Sequence, residues 1–148
     1  MEVPAQSKSP PIVLRRDVRG QRWGDASSRS GSGSSLEVTE TLRAELPAFW
    51  DRLGVRSLLD VPCGDWVWMQ HVDLSRIDRY IGGDVVPALV EEVRSAHGGP
   101  GRSFIEIDAL TSDLPRVDAV MVRDLFGHLD HAQSRRLVRN VKRSGATW

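Results

Sequence analysis

Past Gly54 the chain falls into four short apolar runs, at 56–61, 80–84, 103–108 and 118–122, set among stretches of helical spacing. This alternation is the tightest constraint on the fold. Short helical spacing is read from about Trp66, a helix over 87–97 and another over 131–143. Strands that alternate with helices form a parallel sheet with helices covering both faces, an α/β architecture. No internal repeat interrupts the pattern.

Composition narrows the class. The 148 residues include 20 Lys and Arg against 20 Asp and Glu, a formal charge of zero. That length suits one domain with a sizeable core. The charge balance gives no overall reason to bind nucleic acid or an anionic membrane, and neither is expected as a partner. Cys63 is the single cysteine, which excludes an internal disulfide framework and a Cys-rich zinc site. No run approaches the roughly 18–20 apolar residues of a membrane span, and Met1 is not followed by a secretory core. The expectation is a soluble, cytoplasmic domain.

Residues 1–35 differ from the rest. Pro4, Pro10 and Pro11 come early, and residues 27–35 read Ser-Ser-Arg-Ser-Gly-Ser-Gly-Ser-Ser, a composition that suits a flexible arm. The domain proper is expected over 36–148. It begins with a helix from Leu36, whose apolar stripe is Leu42, Leu46, Phe49 and Leu53. Pro47 should kink or split that helix, and Gly54 ends it. In the last helix Asp130 and Gln133 form a capping-box start. Leu137, Val138 and Val141 form its buried stripe. Arg135, Arg136, Arg139, Lys142 and Arg143 take the other face, which reads as solvated ahead of an RNA or acidic-partner surface.

In such sheets ligands bind beyond the carboxyl ends of the strands. Those ends carry Asp60-Val61-Pro62-Cys63-Gly64-Asp65, then Asp84, Asp108 and Arg123-Asp124. A dinucleotide site needs a glycine-rich turn whose backbone donors cradle a pyrophosphate. Here the turn has one glycine, and Asp65 stands where a phosphate would sit. Nicotinamide and flavin cofactors are therefore disfavoured. A cationic cofactor without phosphate fits better. For S-adenosylmethionine, Asp60 and Asp65 suit the positive end, Asp84 the ribose hydroxyls and Asp108 the adenine amino group.

The segments Leu59-Asp60-Val61-Pro62-Cys63-Gly64-Asp65, Tyr80-Ile81-Gly82-Gly83-Asp84 and Phe104-Ile105-Glu106-Ile107-Asp108 resemble the class I S-adenosylmethionine-dependent methyltransferases. The resemblance is greatest to a bacterial subgroup with a Pro-Cys-Gly-Asp turn. Residues 29–35 and Arg123-Asp124-Leu125-Phe126-Gly127-His128-Leu129 also resemble that subgroup. The likeness spans roughly 23–148 and implies a Rossmann-like sheet and methyl transfer from S-adenosylmethionine. It implies that Asp60 and Gly64 face the methionine portion, Asp84 the ribose, and Asp108 with Ala109 the adenine. Cys63 belongs to the same cofactor turn, and Arg123 and Asp124 would lie beside the transferred methyl. The Ser/Gly segment then has a second reading, as a lid over the cofactor. Pro62 departs from the common pattern, which has a glycine there.

Other readings of the same residues stand beside these. Asp65 suits a helix cap first and a ligand second. Trp66 and Trp68 read as core. Cys63 has no base near it in sequence and reads as a small buried residue rather than a nucleophile. His128 and His131 lack further ligands at supporting spacing, so no metal site is expected. Asp124 and His128 are the candidates to deprotonate an acceptor. The acceptor is unidentified, with a small molecule ahead of a macromolecule. Class I sheets are ordinarily seven-stranded, whereas here a fifth strand only begins at 145–148. The expectation is an incomplete sheet of four to five strands, with its C-terminal strands missing or its open edge covered by a partner chain or second copy. The alternative to an enzyme is a cofactor-binding or protein-interaction module.

Overall fold

The computed structural model describes residues 30–148. Helix α1 spans Glu40–Leu53, strand β1 Ser57–Asp60, β2 Arg79–Asp84, helix α2 Pro87–His97, β3 Arg102–Glu106, β4 Ala119–Met121 and helix α3 His131–Ser144. The four strands make one parallel sheet in the order β3-β2-β1-β4. Leu58 stands opposite Tyr80 on one side and Ala119 on the other, and Ile81 opposite Ser103. The chain therefore steps outward from β1 through β2 to β3, then returns to the far side of β1. This reversal opens a crevice above the carboxyl ends of β1 and β4.

Alternation along each strand sends neighbours to opposite faces. Leu58, Tyr80 and Phe104 face α1 and α2, packing with Leu46, Trp50, Val90 and Val93. Leu59, Ile81 and Ile107 face α3, packing with Leu137. Helices thus cover both faces, as the alternation requires. Gly82 marks how closely β2 and β3 approach the first turn: a Cβ there would lie 2.5 Å from the Phe104 ring and 3.2 Å from the Cys63 Cβ.

Local details depart from the sequence reading. Helix α1 starts at Glu40 rather than Leu36 and continues through Pro47 to Leu53. Phe49 is 46% exposed while Trp50 is 4% exposed. The buried stripe is Leu42, Leu46, Trp50 and Leu53, because a large indole one residue along reaches the core at compatible spacing. Gly54, at φ +69°, ends the helix by donating to the carbonyls of Trp50 and Asp51.

The helix read from Trp66 is also absent. Gly64 and Trp66 have φ of +57° and +59°, left-handed values that cannot propagate a right-handed helix. Only a 3-10 turn, Met69–His71, follows. In α3 the capping box forms as read, with Gln133 N donating to Asp130 Oδ1 at 2.8 Å and Asp130 N to Gln133 Oε1 at 2.9 Å. Val138, however, is 43% exposed, and Asn140 takes the buried position three residues beyond Leu137. The basic residues from Arg135 to Arg143 are exposed.

The outer side of β4 is met by the last residues. Thr147 N donates to the Asp118 carbonyl at 3.0 Å, and Val120 N to the Trp148 carbonyl at 2.9 Å. Among the described residues no helix is long and apolar enough to cross a membrane.

Candidate functional site

The carboxyl end of β1 places Asp60 in the interior, 2% exposed. A carboxylate there must lose its hydration, and that loss pushes its pKa up to about 7. Two groups resist the shift: the Tyr80 hydroxyl, which donates to Asp60 Oδ2 at 2.5 Å, and the positive field of Arg123. The Asp84 carboxylate works the other way. Trp66 Nε1 donates in turn to the Tyr80 oxygen at 2.8 Å. No local pattern announces this relay, since Trp66 and Tyr80 lie on separate elements.

After Asp60 the chain turns through a cis Val61–Pro62 peptide to Cys63. Cys63 N donates to the Gly83 carbonyl at 2.8 Å, which ties the turn to β2. Its thiol is buried, and burial beside Asp60 and Asp84 pushes the thiol pKa well above its usual range. A thiol so disfavoured as an anion is no nucleophile at neutral pH. Gly64 N donates to Asp84 Oδ2 at 3.2 Å, and Val86 N to Asp84 Oδ1 at 3.1 Å. The Asp84 carboxylate, 5% exposed, is thus held by backbone donors on both oxygens, and desolvation still raises its pKa.

Asp108 follows β3 and organises its own turn. Its Oδ1 accepts from Leu110 N and its Oδ2 from Thr111 Oγ1, both at 2.8 Å. Asn140, which the sequence reading passed over, fixes this turn from beneath. Its Nδ2 donates to the Ala109 carbonyl at 2.9 Å and the Ser112 carbonyl at 2.7 Å. A polar residue on the buried face of a helix was the available signal, because such a group needs a partner.

Beyond β4, Arg123 pairs with Asp124 at 2.8 Å, donates to the Gly33 carbonyl at 2.5 Å and lies over the Trp68 ring at 5.3 Å. Asp124 has φ +55°, a left-handed backbone that is costly for a residue other than glycine. Residues 30–34 run across this region. Ser30 Oγ accepts from Asp65 N at 2.9 Å, and Ser30 N donates to Asp65 Oδ2 at 3.3 Å. Asp65 therefore caps no helix; it holds the N-terminal segment against the first turn. A Cβ on Gly64 would meet the Ser30 side chain, and one on Gly33 would lie 2.8 Å from Asp124 Oδ2. Residues 1–29, including part of the Ser/Gly stretch, lie outside the described residues.

These elements frame a cleft with about 550 Å³ of free space, part of it open to solvent. Asp84, Asp108, Ala109 and His128 line it, together with apolar walls from Val85, Leu110, Leu125 and Leu129. Asp60, Cys63, Gly64, Asp65, Arg123 and Asp124 do not line it; they belong to the turns at one side. Trp66 and Trp68 are core, 2% and 5% exposed. His128, expected among the reacting groups, lines the cleft together with Leu125 and Leu129. Among the described residues no three His, Cys, Asp or Glu side chains converge on a metal position.

The donor set suits a flat, partly apolar ligand that carries hydroxyls and positive charge. Carboxylates gather here, and Arg123 is already paired with Asp124 and Gly33, so among the described residues nothing resembles a phosphate cradle. Solved structures share this fold. The chain superposes on the methyltransferase domain of bacterial CtHen1 at a TM-score of 0.59 with 16% identity, covering 69% of this chain and 58% of that one. It matches the N-methyltransferase NodS from Bradyrhizobium japonicum WM9, bound to S-adenosyl-L-homocysteine, at 0.60 and 18%, covering 72% and 56%. It matches CalS10, an amino pentose methyltransferase from Micromonospora echinaspora bound to S-adenosylmethionine, at 0.51 and 26%, covering 85% and 48%. The chain spans a little over half of the first two and just under half of the third. No family model and no curated protein matches the sequence.

Proposed function

We propose that this chain, which has the Rossmann-like fold of the class I S-adenosylmethionine-dependent methyltransferases, binds S-adenosylmethionine in the cleft and presents its methyl group to an acceptor. The observation that carries the reading is Asp84. Its carboxylate is fixed at the end of β2 by Gly64 and Val86 amides, beside an apolar slot. Two acceptor oxygens so held suit the two adjacent hydroxyls of a ribose. Val85, Ala109 and Leu110 supply apolar walls for the adenine, and Asp108 retains lone pairs for its amino group. The turn carrying Asp60, Cys63, Gly64 and Asp65 takes the methionine portion, with Asp60 facing its ammonium.

When bound, the cofactor would supply an activated sulfonium methyl group, with a neutral thioether as the leaving group. The chain's own work is alignment within about 3–3.5 Å and exclusion of water. Residues 30–34 act as a lid, since they already bridge the Asp65 turn and the Arg123–Asp124 pair. Asp124 and His128 stand on the outer side, where an acceptor enters, and either can take a proton from it. The apolar wall at Leu125 and Leu129 favours a small organic acceptor.

Calorimetry with S-adenosylhomocysteine tests the reading. The wild-type chain is expected to bind it, and Asp84→Ala to bind much more weakly. No heat of binding from the folded wild type at saturating ligand would overturn the cofactor assignment.

A further inference from the structure

The buried chain from Trp66 through Tyr80 to Asp60 has a direction. Indole Nε1 only donates, so the Tyr80 oxygen must accept from it, and the single phenolic proton is left to point at Asp60 Oδ2. All three side chains are nearly inaccessible, at 2%, 1% and 2% exposure. Tyr80 is packed edge-on against Trp66 and Phe104, with ring centroids 5.7 and 6.1 Å away. Its hydroxyl therefore has one position available and spends its proton on one carboxylate oxygen.

We propose that Tyr80 is a positioning residue: its hydroxyl, oriented by Trp66, fixes the Asp60 carboxylate at the end of β1 and sets the pH above which that carboxylate captures the ammonium group of the cofactor's methionine portion. The inference rests on the cofactor reading above. Tyr80 occupies Oδ2 and leaves Oδ1 for the ligand's cation. Because the phenol donates, it favours the ionised over the protonated form of Asp60. The other charged or titratable groups around Asp60 are Arg123 beyond β4, which supports the anion, and Asp84 at the end of β2 and Cys63 in the turn, which oppose it. In wild type the carboxylate forms as pH rises through about 7. Capture of a cationic amine should strengthen over the same interval.

Tyr80 is the only tyrosine in the chain. Biosynthetic replacement of tyrosine by 3-fluorotyrosine therefore alters this one hydroxyl without removing it. Fluorine makes the phenol a stronger donor, so the midpoint of S-adenosylhomocysteine affinity against pH should move down. Tyr80→Phe should move it up by about one pH unit. Trp66→Phe, which strips the support from the hydroxyl, should move it up by less. The isotope-detected titration of the Asp60 carboxyl in the ligand-free protein should follow the same order. 5′-Methylthioadenosine, which lacks the ammonium, should bind with no such pH dependence.

The outcomes separate the two layers of the argument. Wild type that binds S-adenosylhomocysteine while the fluorotyrosine protein keeps an unshifted midpoint overturns the role of Tyr80. A pH profile for methylthioadenosine that copies the homocysteine one overturns the pairing of Asp60 with the ammonium. Absence of any binding by wild type overturns the cofactor reading itself. If Tyr80→Phe fails to fold, the fluorotyrosine protein and the carboxyl titration decide the question without it.

Discussion

The two sides of the cleft are built differently. On the β1 and β2 side the acids are interior, 2% and 5% exposed, and each is held by named donors before any ligand arrives. On the β4 side Asp124 and His128 are exposed, on a loop with a left-handed residue and a 3-10 turn, Phe126–His128. The first side has its geometry fixed by the core. The second is set by loop contacts with residues 30–34 and is free to vary without disturbing the sheet. That division suits a constant cofactor on the rigid side and a variable acceptor on the other.

The largest expected effect breaks the rigid side. Asp84→Ala removes both charge-assisted acceptors toward a diol, and S-adenosylhomocysteine affinity should fall by about 100-fold. Equal affinity in the variant and wild type, by calorimetry, would place the ligand elsewhere. Asp60→Asn addresses the cost of interior acids. The folded pKa of Asp60 is about 7 against an ordinary value of 3.8, so folding binds a proton there. Its contribution to stability is full below about pH 4 and declines until about pH 7. The Asn variant should therefore be more stable than wild type at pH 8, by on the order of 1–3 kcal/mol, with a flatter profile between pH 4 and 7. Urea titrations across that range check the sign.

Asn140→Ala acts from beneath the turn at 108–112. Loss of two buried bonds should cost about 1–3 kcal/mol and weaken S-adenosylhomocysteine binding several-fold through Ala109. Gln133→Ala, which opens the exposed capping box on the same helix, should cost about 0.5–1 kcal/mol with binding intact. The smallest effects belong to the open side. Asp124→Asn should leave S-adenosylhomocysteine affinity within about threefold, since Asp124 does not line the cleft. A tenfold loss would extend the cofactor site to the β4 side.

The parallel sheet was legible because four apolar runs alternate with helical spacing, and each became a strand within one or two residues. The strand-end acids were legible for the same reason: a strand's last residue opens onto the crevice whatever its neighbours do. Long-range pairings were not. Nothing in Tyr80 announces that its hydroxyl reaches Asp60, or in Ser30 that it meets the backbone at Asp65 35 positions away. The failed helix at Trp66 has a local cause. Its spacing is helical, but Trp66 is buried against Tyr80 and Phe104 with a left-handed backbone, which no right-handed helix can contain. Phe49 and Trp50 show the same limit, where two neighbouring aromatics compete for one core position and packing decides.

The proposed ligand site runs along the carboxyl ends of β1, β2 and β3, with the sugar at Asp84. Backbone amide shifts of the full chain, followed as S-adenosylhomocysteine is added, test it most directly. The largest changes are expected at Gly64, Val86, Ala109 and Leu110, with α3 from Arg135 to Arg143 unmoved. Saturable changes confined to the basic face of α3, with those four amides unmoved, would contradict it.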